Sequence, residues 1–453
     1  MPSADAPSVS ASRDHPQRLA LHNEVHARPP VPLWSNERIL SQAFTLDAFS
    51  RREHIAWIDR ASSAFPPLQK NIPQQSIRVL KLADESSRIL LKWEMHGEFL
   101  ALTLFAQQQD AAHIEGRAEL IGRIEALLAR NGVAPLHELP GQRLVAIDIV
   151  LEEGAPYADA FAIAKRFNDN TVLGSLITSN QNAQLWTDLQ LDHEGYVRVV
   201  VRGSGIGSRQ AGRAIQRLID IETYRMMALL AFPNAKSLAE PLRNAELELA
   251  KVSEKIAAAQ KQETIDITVD AQLLGDVSAL AARVEGWISA NGLRFTAAEA
   301  YHELVKGALQ ELHESVIPGV QTLGTFMDRR FEPAMRTCRW TVRRLHDLSD
   351  RISRTSHILK TRIEFVNESQ QQSLLESMDR RAKLQLRLQQ TVEGLSVIVM
   401  TYYATGLLQY IAKGLRTTGI EINPDVVGLV SVPVIAIGLL WFLSQRRKKQ
   451  PIV

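Results

Sequence analysis

Two apolar runs near the carboxyl end limit what this chain can fold into more than any other feature. LSVIVMTYYATGLLQYI occupies Leu395 to Ile411 and VVGLVSVPVIAIGLLWFL occupies Val426 to Leu443. Neither holds an Asp, Glu, Lys, Arg or His, and at about 1.5 Å per residue each helix would span roughly 25 to 27 Å, near the hydrocarbon thickness of a bilayer. A pair of bilayer-crossing helices is expected, because the second run is apolar on every face and charges bracket the pair. Arg380, Arg381, Lys383 and Arg387 precede the first run and Arg446, Arg447, Lys448 and Lys449 follow the second, whereas the connection holds only Lys413 and Arg416. By the positive-inside rule both ends, and with them the main body, face the cytoplasm.

The first run carries a polar stripe. On a helix Thr401, Thr405 and Gln409 recur every fourth residue, beside a row of Tyr402, Gly406 and Tyr410. Such a stripe either makes helix-to-helix hydrogen bonds in an oligomer or lines a water-filled path. Trp441 stands at the cytoplasmic end of the second run, where an indole suits the interface.

Ahead of the runs, residues 1–17 are rich in Pro, Ser and Ala without an apolar core, and read as a disordered tail and no secretory signal. At 453 residues two or three structural units are expected. Lys plus Arg number 52 against 50 acidic residues, a formal net charge of +2. No global field of the kind that collects nucleic acid results. The one cysteine, Cys338, excludes an intrachain disulfide and reads as packing.

Strand patterns fill the first half. SIRVLKLA is followed by RILLKWEMHGEFLALTLFA, a hairpin turning at His96 and Gly97, and RLVAIDIVLEE is a further strand. After the short helix ADAFAIAKRF, the runs TVLGSLIT, AQLWTDLQL and GYVRVVVRG make an antiparallel meander, and EGRAELIGRIEALLARNG has helical spacing. An α+β domain with a mixed or largely antiparallel sheet is expected within 18–206. A helical bundle is expected over 207–394, including a stalk beyond Pro333 that has one glycine, Gly394. The membrane hairpin follows at 395–443 and a basic tail at 444–453. The stalk's leucines are spread too widely for one helix face, which suggests packing on copies of itself or on neighbouring helices.

HNEVHARPP, residues 22–30, is the densest set of functional groups. In an extended chain His22, Glu24, His26 and Arg28 share one face, so they could hold a divalent cation or do acid/base work. They could equally bond loop backbone, with Pro29 and Pro30 fixing the exit. RGSGIGSR, residues 202–209, reads as a plain strand-to-helix turn, since its glycines miss the dinucleotide-binding spacing. No phosphate loop, paired CxxC or GxSxG elbow occurs. The arginines of residues 329–344 are read as solvated or paired within the bundle.

HNEVHARPP, IETYRMMALL, PGVQTLGTF with PAMRTC, and SMDRRAKLQLRLQQTVEGLSVIVMTYYATGL together resemble a bacterial family of predicted membrane-anchored proteins with a domain of unknown function. The resemblance runs from about residue 18 to the end; it implies an anchor in the inner membrane and no activity. In layout the chain also resembles CorA-type magnesium channels, although LLQYIAKGL stands where those carry Gly-Met-Asn. The layout implies a homo-oligomer that conducts or senses a cation. Two other readings stay open: an anchored scaffold binding a protein partner, and an anchored metal-dependent enzyme using His22, Glu24 and His26.

Overall fold

A computed structural model describes residues 15, 17, 18, 21, 22, 30–68, 76–82, 88–107, 116–178, 180–260, 266–417 and 423–449. They form an α/β domain with a mixed sheet, long helices, and a carboxyl-terminal pair of apolar helices. The chain divides into two compact units, one of residues 1–252 with 278–353 and the other of 253–277 with 354–453.

The first unit is built on nine strands: β1 (Glu37–Thr45), β2 (Ile77–Lys81), β3 (Ile89–Met95), β4 (Phe99–Gln107), β5 (Gln142–Glu153), β6 (Leu173–Ile177), β7 (Ala183–Leu191), β8 (Val197–Gly203) and β9 (Ser315–Val316). Their order across the sheet is β2-β3-β4-β1-β5-β8-β7-β6-β9, and β5 with β8 is the one parallel pair among them. The β3–β4 hairpin and the β6–β7–β8 meander are as the sequence indicates.

The central strand β1, ERILSQAFT, carries no such signal. Its alternation is broken because polar residues are buried in it: Ser41 bonds Thr103 of β4 at 2.8 Å and Glu37 is fully enclosed. β3 and β4 are buried along almost their whole length, which explains their near-continuous apolar runs. Helices cover both faces. α1 (Ala48–Ala64), capped by Asp47 on the Ser50 amide at 2.7 Å, and α2 (Arg117–Arg130) cover one. There Trp57, Ile58, Leu120 and Ile124 pack on Leu40, Leu91, Trp93 and Leu102. A short helix α3 (Ala160–Ala164) precedes β6. α4 (Ser208–Leu229) takes the opposite face, setting Met227 against Ala43, Phe99 and Val145.

Two long helices follow, α5 (Phe232–Gln260) and α6 (Ile267–Glu311). α6 continues through Gly292 and stops at Glu311. The residues after it instead add β9 to the sheet edge, pairing Ser315 with Leu176. After α7 (Leu323–Arg330), α8 (Glu332–Thr417) runs unbroken for 86 residues, with Pro333 in its first turn where a missing N–H costs nothing. α9 is Pro424–Lys449.

In the second unit Leu273, Val277, Ile256 and Leu359 are buried, and Arg362 Nε donates to Asp270 at 2.9 Å. The segments ending α8 and forming α9 are each long and apolar enough to cross a membrane. Here burial is reversed. Thr401, Thr405 and Ser431 are inside, whereas Tyr402, Tyr410, Leu429 and Ile437 are more than 60% exposed.

Candidate functional site

β1 presents Leu40, Gln42 and Phe44 to the face shared with α2, and Leu102 and Leu104 of β4 extend that surface. Between them and Ile121 of α2 lies a cavity of about 420 Å³, closed on one side by Leu136 and Leu139 and on another by the β7–β8 turn. Its size is that of a small-molecule site, and its wall is part apolar and part polar.

Polar groups converge at one end. The β7–β8 turn is an Asx turn in which Asp192 Oδ1 accepts from the Glu194 and Tyr196 amides, each at 3.0 Å. Gly195 sits at φ 79°, a conformation costly for other residues, and a Cβ there would press on the Arg143 guanidinium. The turn buries Tyr196 with the guanidinium of Arg117 4.2 Å from its ring centroid and that of Arg143 at 5.2 Å. Gln42 Nε2 donates to the phenol oxygen. Burial pushes the Tyr196 phenol above its ordinary range, so it stays protonated.

Arg117 is itself buried and bridges three carboxylates: Asp148 at 3.2 Å, Asp192 at 2.8 Å and Glu194 at 2.6 Å. Asp148 also receives Arg38. Burial alone would raise Asp192, but the Tyr196 amide and Arg117 hold it below the usual carboxylate range. At the outer rim His137 Nδ1 lies 2.7 Å from Glu125, and this bond holds the exposed imidazole above its ordinary pKa.

Two other clusters carry charge. On the opposite sheet face Lys92, 2% exposed, pairs with Glu94 and donates to Gln216, each at 2.9 Å. Gln216 donates to Asp220, whose carboxyl is pushed up by burial. Each donor there has an acceptor, as a buried ionic network requires. Among the described residues Glu299, His302 and Glu303 form the one group of three metal-ligating side chains close together. Arg339 already occupies it, reaching His302 Nδ1 at 3.2 Å and Glu299 at 3.4 Å, while His302 Nε2 pairs with Glu332 at 2.7 Å. A cation there would have to displace a guanidinium. Cys338 is buried and its thiol pushed up to about 11, which leaves it a poor nucleophile.

Of the residues singled out by sequence, His22 is exposed in a helical turn, and Glu24, His26 and Arg28 lie outside the described residues. RGSGIGSR is the turn from β8 to α4. Thr401 and Thr405 are buried and donate to the carbonyls four residues back, at 2.7 and 2.8 Å. Gln409 lies against Gly428 of α9 at a contact that leaves no room for a Cβ. Gly406 is half-buried beside them, and Tyr402 and Tyr410 point away. The Arg117, Asp148, Asp192 and Tyr196 constellation was not legible as a site. Its trace is Asp148, a charge inside the apolar strand LVAIDIVL.

The family model described as "Protein of unknown function (DUF3422)" matches residues 13–450, so the chain belongs to that family. No curated protein and no solved structure matches it.

Proposed function

We propose that this chain, as a member of that family, is a two-pass integral membrane protein. Its amino-terminal body works on the side where both termini lie, the cytoplasmic side of a bacterial inner membrane, and senses a small molecule in the β1–β4–α2 cavity. The observation that carries the anchor is the reversed burial of the apolar pair. Leu395, Ile398, Leu407, Leu429, Val434 and Leu440 are all exposed by more than half, an apolar surface that water does not tolerate at this extent. The lysines and arginines outside the two spans set the orientation.

Sensing is preferred to conduction because Thr401 and Thr405 are buried with their hydroxyls donating within the chain, so that row does not face a path. Among the described residues, sensing of a cation would fall to Glu299, His302 and Glu303, where Arg339 stands.

Alkaline carbonate extraction of membranes, with protease added to sealed spheroplasts and to inverted vesicles, tests the anchor. The full-length chain should stay in the pellet and be digested in inverted vesicles alone. Release by carbonate, or digestion of the body in intact spheroplasts, overturns the reading.

A second reading, self-association, is supported by a different observation. Between the body and the first span, α8 exposes Leu374, Leu375, Met378, Leu384, Leu386 and Leu388. Copies held in one membrane meet at high effective concentration, so modest apolar contacts suffice to pair them. Replacing Cys338 with Ser and Met378 with Cys should give a disulfide-linked dimer on mild oxidation. A chain that stays monomeric in that assay and by native mass argues against it.

A further inference from the structure

We propose that the cavity under β1 takes a small amphipathic carboxylate, its apolar body against the sheet and its anionic end on Arg143 and Tyr196. The inference rests on the reading of the body as a sensor and adds the class of ligand.

The carboxylates around the cavity are already committed. Asp148, Asp192 and Glu194 are all held by Arg117, and Asp148 by Arg38 as well. Glu125 is held by His137. Arg143 differs: its Nη2 donates to the Glu194 backbone carbonyl at 2.8 Å, and among the described residues no carboxylate bridges it. A guanidinium has five N–H donors in a planar fork, so Arg143 keeps donors for a bidentate anion at the cavity edge. Tyr196 adds a second, neutral donor. A phenol both accepts and donates; with Gln42 donating to its oxygen, its own hydrogen remains for a ligand. Tyr196 is 3% exposed and lines the cavity, so an accepting group bound beside it would be held away from bulk water.

The apolar part of the wall, which Glu125 and His137 flank at the rim, disfavours a compact, strongly hydrated anion. Leu40, Phe44, Leu102, Leu104 and Ile121 offer no hydrogen bonds, so phosphate or sulfate would lose hydration there without replacement. A ligand with an apolar body loses little and covers these side chains. About 420 Å³ suits a molecule with a ring or a short chain. An amine of the same body would set its charge against Arg143. An alcohol would keep the apolar contact and lose the ionic one.

The experiment uses the full chain in lipid nanodiscs and titrates 3-phenylpropionate, 3-phenylpropanol and 3-phenylpropylamine by calorimetry, with empty nanodiscs as the blank. Saturable binding of one carboxylate per chain is expected, with the alcohol at least about tenfold weaker and the amine undetected, as charge-assisted pairing implies. R143Q should weaken the carboxylate by about tenfold and leave the alcohol unchanged. I121W, which fills the cavity, should abolish binding of both. Equal binding of carboxylate and amine, no saturable carboxylate binding by the unaltered chain, or undiminished binding to I121W overturns the assignment. Carbonate extraction of the same protein reads the anchor separately, so loss of ligand binding in a chain that remains membrane-embedded counts against the ligand alone.

Discussion

The first unit and the apolar helix pair of the second treat polar and apolar side chains in opposite ways. In the first, Trp57, Trp93 and Leu91 are sealed inside, and the buried charges Lys92, Arg117 and Asp148 are each paired. In the apolar pair of the second, Thr401, Thr405 and Ser431 are turned inward while Leu, Val, Ile and Tyr face out. A chain that buries apolar groups at one end and displays them at the other has the pattern of burial that the proposed membrane anchor calls for.

The largest effect that would sharpen this contrast lies in the first unit. R117M leaves Asp148 and Asp192 with one cation fewer in a buried site, and a loss of about 3–5 kcal/mol is expected in denaturant unfolding of the nanodisc-held chain. A loss below about 1 kcal/mol would mean the network is solvated. Next comes V430R on the outward face of α9, which should cost about 2.5–3.5 kcal/mol of insertion free energy and shift protein from the carbonate pellet to the supernatant. An unchanged pellet would mean that this face of α9 does not meet lipid.

Glu37 supplies an effect of intermediate size. Its Oε1 accepts from the Trp34 amide and from Arg88, each at 3.0 Å, but its Oε2 is buried without a partner among the described residues. Burial raises its pKa to about 7, against the Trp34 amide and Arg88, which lower it. The folded state therefore holds a proton that the unfolded chain releases near pH 4.5, so stability falls as pH rises from about 4.5 through 7. E37Q should flatten that fall, gaining on the order of 2 kcal/mol at pH 8, as the unfolding midpoint across pH would report.

Smaller still is T401V. Its hydroxyl bonds only its own helix, so the cost should be near 0.6 kcal/mol, the size of typical hydrogen bonds inside membranes. A cost several times that, or a change in ion permeability of liposomes, would give the stripe a role beyond packing. Least of all is His137. Its raised pKa makes the pair with Glu125 stabilising at pH 5.5, with that contribution lost as pH rises through the folded value. H137A should therefore lower the unfolding midpoint slightly at pH 5.5 and leave it alone at pH 8.5.

How much of this was legible follows from what each feature depends on. The β3–β4 hairpin, the meander and the long helical stalk depend on local patterning and are readable in the residues, whereas that α8 runs without a break is seen only in the fold. β1 is not, because Ser41 and Glu37 look solvent-facing until Thr103 and Arg88 are placed beside them. α6 does not break at Gly292, where a penalty of about 1 kcal/mol is outweighed by the rest of a 45-residue helix. The cavity was less accessible still. Gln42, Arg117, Arg143 and Tyr196 come from three strands' neighbourhoods and a helix, and no spacing in the chain brings them together.

Periodicity and the absence of charge, both local quantities, determined by themselves that two helices here are long and apolar enough for a bilayer and that a sheet domain precedes a long helical region. Tertiary structure alone decided which polar residues are buried together, that Thr401 and Thr405 turn inward, and that Arg143 keeps donors to spare at a cavity. The reason is that pairing energies depend on distance and dielectric between residues far apart in sequence, and both exist only once the chain has closed on itself.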